Sequence, residues 1–330
     1  MLIMMRLYSL CCYIIFLAWP FFCIGAEVTG KPVPAAREKR IAFFYSAHGA
    51  DGWNQSLEMA LRKDFSSLPG IQMKTFKIDM NQYGSDEKFR KSIPAIDSEM
   101  GAYSPDLLIA FHDNLIQDYF NLSKAERKAP VIICMDYSSE DEQYYWGLNF
   151  TGVLVMDMMP RLYGNLRHYN AGNRVAVLSC LHSPAKTEGL EKTYKELVIN
   201  NITFTTYLEF AEAYRKAQAE SDVVILSFSA LPKGWDPATA EALIMKSTRV
   251  PTGATSCHLA PYAMIVMAPS TAEISSLIAD SATKILYGAA PSMISPKSGS
   301  ELVFTVNVSI AEKLGITIPV QVLKTAKVLR

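Results

Sequence analysis

The chain has 330 residues, of which 50% are hydrophobic and 19% are charged, and its 32 basic side chains balance its 32 acidic ones. This composition excludes an intrinsically disordered chain, which combines low hydrophobicity with a high net charge. There is no basic stripe of the kind that binds nucleic acid, and the length is sufficient for two lobes.

The first 26 residues differ from the rest. MLIMMRLYSLCCYIIFLAWPFFCIGA carries one charge, Arg6, before an apolar run that ends in small residues. This pattern predicts a secretory signal peptide that is cleaved after Ala26, and hence a periplasmic or secreted protein. Because the apolar run is longer than usual, the alternative is an uncleaved membrane anchor.

Three cysteines remain after that segment, namely Cys134, Cys180 and Cys257. They are widely spaced and form no CxxC pair, so they do not indicate a disulfide framework. Each lies in or just after an apolar run, which predicts a buried thiol.

Strand and helix patterns alternate from residue 41 onward. Continuous apolar runs predict strands buried on both faces, and an alternating run at 71–79 predicts a strand nearer an edge. In chain order, the expected elements are strands at 41–46, 71–79, 105–111 and 130–136, with helices at 53–65, 85–100 and 115–122.

The alternation then restarts after a short glycine-containing segment, 147–157, which we expect to be a hinge. Beyond it we expect strands at 174–180, 202–210, 222–228 and 250–257, and helices at 186–200, 211–219 and 237–247. In the C-terminal part, 262–268 is apolar, 301–307 has a strand pattern, and the helical patterns are at 272–287, 309–314 and 320–328.

Two such series predict an α/β fold with two doubly wound parallel-sheet lobes. We expect the N-terminal lobe to contain 27–150 plus about 258–290. The C-terminal lobe would then contain 151–257 plus about 291–330.

Polar residues gather where these strands end, and ligands of open parallel sheets bind beyond the carboxyl ends of the strands. Four of the five histidines lie on such loops, including His258, which follows Thr255. The candidate ligand-binding residues are Ser46, His48, Trp53, Asn54, His112, Asp113, Asn114, Asp136, Tyr137, His182, Ser183, Ser227, Ser229 and Ser256.

Three interpretations of this set compete. A metal site needs ligand spacings such as HExxH, which are lacking here. Catalysis would use His112 beside Asp113, but no activated nucleophile motif such as GxSxG accompanies them. A ligand crevice lined by hydroxyls, imidazoles and aromatic rings needs no special spacing, and it is the interpretation we favour, with no enzyme activity and no cofactor.

Two further expectations concern the same loops. A flat ligand is able to stack on Trp53, Phe111, Tyr137, Phe228 or Tyr262, and imidazoles are able to meet an acidic group of it. Some polar residues are good N-cap types, which favours a capping role for Asn54, Ser183 and Asp236. No glycine-rich phosphate loop follows any strand, so a nucleotide site is unsupported.

Three motifs resemble a family of substrate-binding proteins of ABC importers, some of whose members bind aromatic amino acids such as tryptophan. GLNFTGV at 147–153 resembles the NvTGv element of that family, and ATKILYGAAP at 282–291 resembles its helix end. LVFTVNVSIAEKLGITIP at 302–319 resembles its closing segment and is the most specific of the three.

The resemblance implies a type I periplasmic-binding fold, with two lobes joined by a hinge that the chain crosses several times. Asn149, Thr151 and Gly152 would then lie at the first crossing and Asn307 near the last. It also implies an exported protein, which we expect to be a monomer, that captures a small organic ligand, aromatic or amino-acid-like, and delivers it to an ABC permease.

The alternative partner is a membrane sensor kinase to which the bound ligand is presented. The chain departs from the family pattern at 112–114 and 136–139, so the identity of the ligand is not carried over.

Overall fold

Two mostly parallel β-sheets form the framework of the chain in a computed structural model. Glu38–Arg330 make up one compact unit. The structure describes residues 37–47, 52–79, 86–111, 114–123, 129–136, 149–181, 184–228 and 231–330. The expected signal peptide, 1–26, lies outside these residues, and no helix within them is long and apolar enough to span a membrane.

The first sheet contains six strands, and every pairing in it is parallel. Its order is β11-β5-β4-β3-β1-β2. The strands are β1 (Lys39–Ala47), β2 (Ile71–Asp79), β3 (Leu107–Phe111), β4 (Val131–Asp136), β5 (Phe150–Val155) and β11 (Lys297–Ser298).

The second sheet has seven strands in the order β13-β12-β10-β9-β8-β6-β7. All of its pairings are parallel except the one between β10 and β12. The strands are β6 (Arg174–Cys180), β7 (Val198–Phe204), β8 (Val223–Leu226), β9 (Thr252–Ala254), β10 (Ile265–Pro269), β12 (Leu302–Asn307) and β13 (Lys327–Leu329).

Helices cover the sheets. They are α1 (Gly52–Phe65), α2 (Asp86–Tyr103), α3 (Asn114–Leu122), α4 (Met159–Leu166), α5 (Glu188–Thr193), α6 (Tyr207–Glu220), α7 (Pro237–Ser247), α8 (Thr271–Leu286), α9 (Val308–Lys313) and α10 (Val320–Thr325). Two 3-10 turns are also present, at Cys257–Tyr262 and Pro291–Met293.

The first sheet is buried on both faces, as its continuous apolar runs predicted. Along β1, Ala42 and Phe44 pack in a cluster with α2 and α3, whereas Ile41, Phe43 and Tyr45 pack in a cluster with α1 and α8. Successive side chains of a strand point to opposite faces, so one strand contributes to both layers. The second sheet shares one large core with α4, α6 and α7.

The chain passes between the two sheets three times within the described residues: from β5 to α4, from β10 to α8, and from β11 to β12. This confirms two doubly wound lobes joined by a multi-crossing hinge. We call the lobe around the first sheet the N-lobe and the lobe around the second sheet the C-lobe.

The expected lobe boundaries differ from the sheets at three places. One is strand β11, which pairs with β5 in the first sheet although 291–330 is expected in the C-lobe. Strand β5 pairs with β4 over six residues and therefore belongs to the first sheet, although the sequence predicts 151–155 in the C-lobe. Strand β10 pairs with β9 and β12, so 265–269 lies in the second sheet and not in the N-lobe. Of the expected hinge segment, Phe150–Val155 is accordingly strand β5, which ends at the first crossing.

The expected helix at 186–200 is wrong in its second half. Helix α5 ends at Thr193, and the branched residues from Val198 onward pair with β6 as strand β7. The expected strand at 202–210 ends at Phe204, because Thr206 and Glu209 form a capping box that begins helix α6. Likewise, the helical pattern at 320–328 ends at Thr325 and is followed by the short strand β13.

The cysteines differ in exposure. Cys134 is buried and Cys180 is half-buried, and burial raises the pKa of the Cys180 thiol to about 12. The expectation of a buried thiol is wrong for Cys257, which is exposed at the start of a 3-10 turn.

Candidate functional site

Each sheet has a topological switch point beside its first strand in chain order. In the first sheet, β1 lies between β2 and β3, and in the second sheet β6 lies between β7 and β8. The strand order reverses at these strands, and crevices at such points beyond the carboxyl ends are the usual ligand sites of doubly wound sheets. The candidate site therefore begins at the ends of β1, β3, β6 and β8.

Only part of the predicted residue set can be placed. The side chains of Ser46, Trp53, Asn54, Ser227 and Ser256 are described. Asn114 begins helix α3 and Asp136 ends strand β4, and only their backbone is described. The remaining candidates, His48, His112, Asp113, Tyr137, His182, Ser183 and Ser229, lie outside the described residues.

Ser46 and Asn54 form a local support for the loop after β1. Ser46 is only 2% exposed, and its carbonyl oxygen accepts a hydrogen bond from Asn54 Nδ2 at 3.3 Å. The expected N-cap role of Asn54 is wrong, because α1 already begins at Gly52. The expected cap at Asp236 is confirmed, since its Oδ1 accepts from the Thr239 N–H at 2.8 Å.

Trp53 lies at the N-lobe side of the crevice. Its ring meets that of Phe111, the last residue of β3, edge to face with centroids 6.4 Å apart. The indole Nε1 is buried and has no hydrogen-bond partner among the residues that the structure describes. An indole N–H can only donate, so this atom is a buried donor without an acceptor.

His258 lies at the C-lobe side, in the 3-10 turn that follows β9. Its imidazole meets the ring of Phe228 edge to face, with centroids 6.4 Å apart. Nε2 of His258 is also buried without a partner in the described part of the chain. Burial lowers the pKa of His258 from 6.5 to about 4, so the imidazole is neutral at pH 7.

The two lobes touch at this point. A Cβ on Gly52 would be 2.7 Å from His258 Nδ1 and 2.8 Å from its Cγ. Gly52 opens helix α1 of the N-lobe, and the 3-10 turn of His258 packs in the core of the C-lobe through Leu259 and Tyr262. The absent side chain at position 52 therefore allows the imidazole to lie directly against the backbone of the other lobe.

Aromatic rings continue from His258 into the C-lobe. Trp235 lies 6.1 Å from Phe228 and 4.9 Å from Tyr262 between ring centroids. Its Nε1 donates to the Tyr262 hydroxyl at 3.2 Å, so its polar atom is satisfied within the lobe. On the C-lobe side of the candidate site, the polar group is the hydroxyl of Ser227. Its Oγ accepts a hydrogen bond from Thr255 Oγ1 at 3.3 Å.

Ser256 lies at the entry of the same 3-10 turn. Its backbone carbonyl accepts from the Leu259 N–H at 3.0 Å, while its side chain makes no capping hydrogen bond. Within the described residues, no group of three or more His, Cys, Asp or Glu side chains is placed to hold a metal ion.

Three of the four hinge candidates form hydrogen bonds between their side chain and backbone atoms of other residues. Thr151 Oγ1 donates to the Ile294 carbonyl at 2.7 Å, and Asn149 Nδ2 donates to the Ala129 carbonyl at 2.9 Å. Asn307 caps helix α9, where its Oδ1 accepts from the Ile310 N–H at 3.2 Å. Gly152 lies inside β5, opposite Ile133.

Glu273 is a hinge residue that the sequence interpretation missed. Its carboxylate accepts from the Ser300 N–H at 2.9 Å and from the Glu301 N–H at 2.8 Å, and so joins the second crossing to the third. Burial alone would raise the pKa of Glu273, but these hydrogen bonds lower it. The spacing of Ser270 and Glu273 signals a helix start, whereas the bond to residues 300–301 depends on the tertiary fold.

Comparison with known proteins gives structural likenesses only. No protein-family profile matches the chain, and no curated protein matches it in sequence. A conserved domain protein from Vibrio cholerae superposes with a TM-score of 0.67 at 14% identity, covering 89% of this chain and 100% of that one.

Two further structures are solute-binding or ABC proteins with ligands. An ABC domain from Streptococcus pneumoniae in complex with L-Trp has a TM-score of 0.65 at 14% identity and covers 88% of this chain and 100% of that one. An ABC transporter solute-binding protein from Bacillus halodurans with bound myo-inositol has a TM-score of 0.55 at 11% identity. The match covers 86% of this chain and 99% of that one. The chain therefore has the fold of type I periplasmic binding proteins.

Proposed function

We propose that the protein is an exported solute-binding protein that captures a small organic ligand between its lobes and delivers it to an ABC importer. The observation that carries the proposal is a pair of buried polar atoms, Trp53 Nε1 in one lobe and His258 Nε2 in the other, that have no hydrogen-bond partner among the described residues. They lie beside the contact of Gly52 with His258. Buried polar groups are nearly always hydrogen-bonded, so these atoms favour an external partner.

The mechanism follows from the fold. A ligand that contacts both lobes stabilises the closed arrangement by the difference between its interactions in the closed and open states. Three crossings joined by backbone hydrogen bonds allow rotation of the lobes while restricting other motions. The structural neighbours that bind L-Trp and myo-inositol support a small-molecule ligand. An aromatic or amino-acid-like ligand remains our more specific proposal.

Mass spectrometry of the purified full chain tests the function. After denaturation we expect to release a co-purifying small molecule, and its titration into protein refolded without it should raise Tm in proportion to the logarithm of its concentration. Trp53→Ala, His112→Ala and Asp136→Ala should abolish this shift while the empty proteins melt nearly as before. Normal binding by all three variants would contradict the proposed crevice.

A further inference from the structure

A buried carboxylate lies behind the aromatic rings at the end of β1. Glu58, on helix α1, is only 9% exposed. Its Oε2 accepts a hydrogen bond from the Tyr45 hydroxyl at 2.6 Å. Its Oε1 accepts from the Thr75 hydroxyl and from Arg62 Nε, both at 2.6 Å. The carboxylate therefore joins helix α1 to the strands β1 and β2.

The carboxyl group of Glu58 carries its charge inside the lobe. Burial by itself would raise its pKa, but the hydrogen bonds from Thr75, Tyr45 and Arg62, together with the charge of Arg62, lower it. A hydroxyl that donates to an ionised acceptor forms a short, strong hydrogen bond, as the 2.6 Å distance from Tyr45 indicates. Because two other donors hold Oε1, the acceptor of the Tyr45 hydroxyl is fixed in place.

Three aromatic rings lead from this carboxylate to the candidate site. Strands β1 and β3 are paired up to the residues that precede Tyr45 and Phe111. The rings of Tyr45 and Phe111 are stacked, with centroids 5.2 Å apart and planes 15° apart. Trp53 then meets Phe111 edge to face at 6.4 Å. Because protein interiors are closely packed, a tilt of the Tyr45 ring displaces Phe111 and with it the Trp53 ring.

Stability alone does not require a charge at this position. Burying an ionised carboxylate is costly, and well-packed apolar residues of similar volume often stabilise a core equally well. The hydrogen bond to Glu58 instead fixes the direction of the Tyr45 hydroxyl, and hence the tilt of the ring that is stacked on Phe111.

The opposite face of the first sheet contains a similar pair that does not reach the candidate site. Asp97 Oδ1 accepts from the Tyr119 hydroxyl at 2.8 Å, and the Tyr119 ring meets Phe44 with centroids 4.6 Å apart. Tyr119 and Phe44 pack in the cluster with α2 and α3, whereas Trp53 packs in the cluster with α1 and α8. This pair provides a matched control.

We propose that Glu58 is a positioning residue of the solute site, which fixes the orientation of the Trp53 ring. It acts through Tyr45 and Phe111. The inference rests on the proposed function, since it takes Trp53 as part of the wall that receives the solute. The carboxylate of Glu58 already accepts from three donors within the lobe, so it acts on the solute without touching it.

Nuclear magnetic resonance of the Trp53 indole tests this role in the full chain without any solute. The protein is labelled with ¹⁵N-indole tryptophan, and the Trp53 signal is assigned by its loss in Trp53→Phe. If that variant does not fold, replacement of the other three tryptophans in turn gives the same assignment. These are Trp19, Trp146 and Trp235.

Two variants each remove one part of the link. Glu58→Gln keeps the size of the side chain but loses its charge, and Tyr45→Phe keeps the ring but loses its hydroxyl. Both should shift the Trp53 signal, because the neighbouring rings tilt. The double variant should show the same shift as Tyr45→Phe alone, since Glu58 has no route to Trp53 once the hydroxyl is gone. If Glu58→Gln does not fold, Thr75→Val removes one donor to the carboxylate and gives the same comparison.

The control variants are Asp97→Asn and Tyr119→Phe. They break the same kind of bond on the opposite face, and they should leave the Trp53 signal in place even where they lower Tm. A role in stability alone predicts no difference between the two pairs of variants.

Binding then connects the Trp53 ring to solute capture. The probe is the molecule released from the purified wild type. Glu58→Gln and Tyr45→Phe should weaken its binding about fivefold, in keeping with the net effect of one hydrogen bond. Asp97→Asn should bind it like the wild type.

Four results would overturn the positioning role. They are an unmoved Trp53 signal in Tyr45→Phe, an equal shift in Asp97→Asn, a shift in the double variant that is the sum of the two single shifts, and unchanged affinity although the signal moves. In each of these cases a molecule that still binds the wild type leaves the solute-binding function standing. If the wild type neither releases nor binds a molecule, the proposed function itself fails, whatever the Trp53 signal shows.

Discussion

A single imidazole links the crevice to the pH dependence of stability. In the folded protein, burial lowers the pKa of His258 from 6.5 to about 4, because the charged imidazole would lose its hydration. Between these two values the unfolded chain binds a proton that the folded protein excludes. The contribution of a neutral His258 to stability is therefore complete above pH 6.5 and is lost as the pH falls toward 4.

We predict that Tm of the wild type falls more steeply between pH 6.5 and 4.5 than Tm of His258→Gln. Differential scanning calorimetry at fixed ionic strength measures this slope. His168→Gln makes the same substitution at an exposed position and should keep the wild-type slope. Parallel curves for the wild type and His258→Gln would show that His258 is not buried in its neutral form.

The residues of the candidate site differ in how far the sequence reveals them. The sequence predicts Trp53 and His258 at the candidate site because both follow strands whose apolar runs are plain in the sequence. The expectation that an imidazole meets an acidic group stays a prediction. His258 lies against Phe228 and Gly52, and its burial lowers its pKa to about 4. Such burial arises from tertiary packing and has no signature in local sequence.

Helix α1 begins with the glycine that allows the lobes to meet. We predict that Gly52→Ala keeps the lobes apart, because the new methyl group would clash with Nδ1 and Cγ of His258. Small-angle X-ray scattering should then show a larger radius of gyration, and binding of the co-purifying molecule should weaken about tenfold or more.

Gly101 in helix α2 provides the matched control. A Cβ there would meet nothing within 4 Å, and its φ is in the ordinary region. Gly101→Ala should therefore stabilise the protein by about 0.5–1 kcal/mol without changing its radius of gyration. An unchanged radius and affinity in Gly52→Ala would mean that His258 moves aside and that the contact does not limit closure.

Elements with strong periodicity were predicted closely, and the errors have a common cause. The buried strands β1, β3, β4 and β6 lie where the apolar runs predicted them, because both faces of each strand pack on helices. The predicted boundaries between helix and strand were wrong within 186–210. There the apolar pattern of a helix runs directly into that of a strand, with no glycine or proline between them. The capping residues Thr206 and Glu209 marked the true boundary and outweighed the apolar alternation.

At the scale of the whole molecule, Glu273 connects two of the three crossings. We predict that Glu273→Ala lowers the free energy of unfolding by about 1–2 kcal/mol, because the N–H groups of Ser300 and Glu301 lose a charged acceptor. Urea denaturation measures the change.

Glu312→Ala in helix α9 is the control. Glu312 is exposed, and its removal should change the free energy of unfolding by less than about 0.5 kcal/mol. The Glu273 variant should also bind the co-purifying molecule less tightly, since looser crossings raise the cost of ordering the two lobes. Equal stability of the two variants would mean that the bond between the crossings is replaced by water at no cost.

The lobe assignment was the least accurate part of the sequence interpretation. The repeated strand–helix pattern indicated two lobes, but the lobe to which each C-terminal segment returns is decided by pairing between distant strands. Strand β10 joins the second sheet and α8 the first, although they adjoin in sequence. Only Ser270, the N-cap residue of α8, separates them.

The position of α8 determines the order in which this protein is able to mature on the ribosome. One face of the first sheet, with Ile41, Phe43 and Ile109, is covered jointly by α1 and by Ile274 and Ile278 of α8. The ribosome completes β1 to β5 early, yet α8 emerges only after most of the C-lobe has been translated. The half-built N-lobe must therefore carry an open hydrophobic face through that interval, which makes it a natural client for chaperones during synthesis.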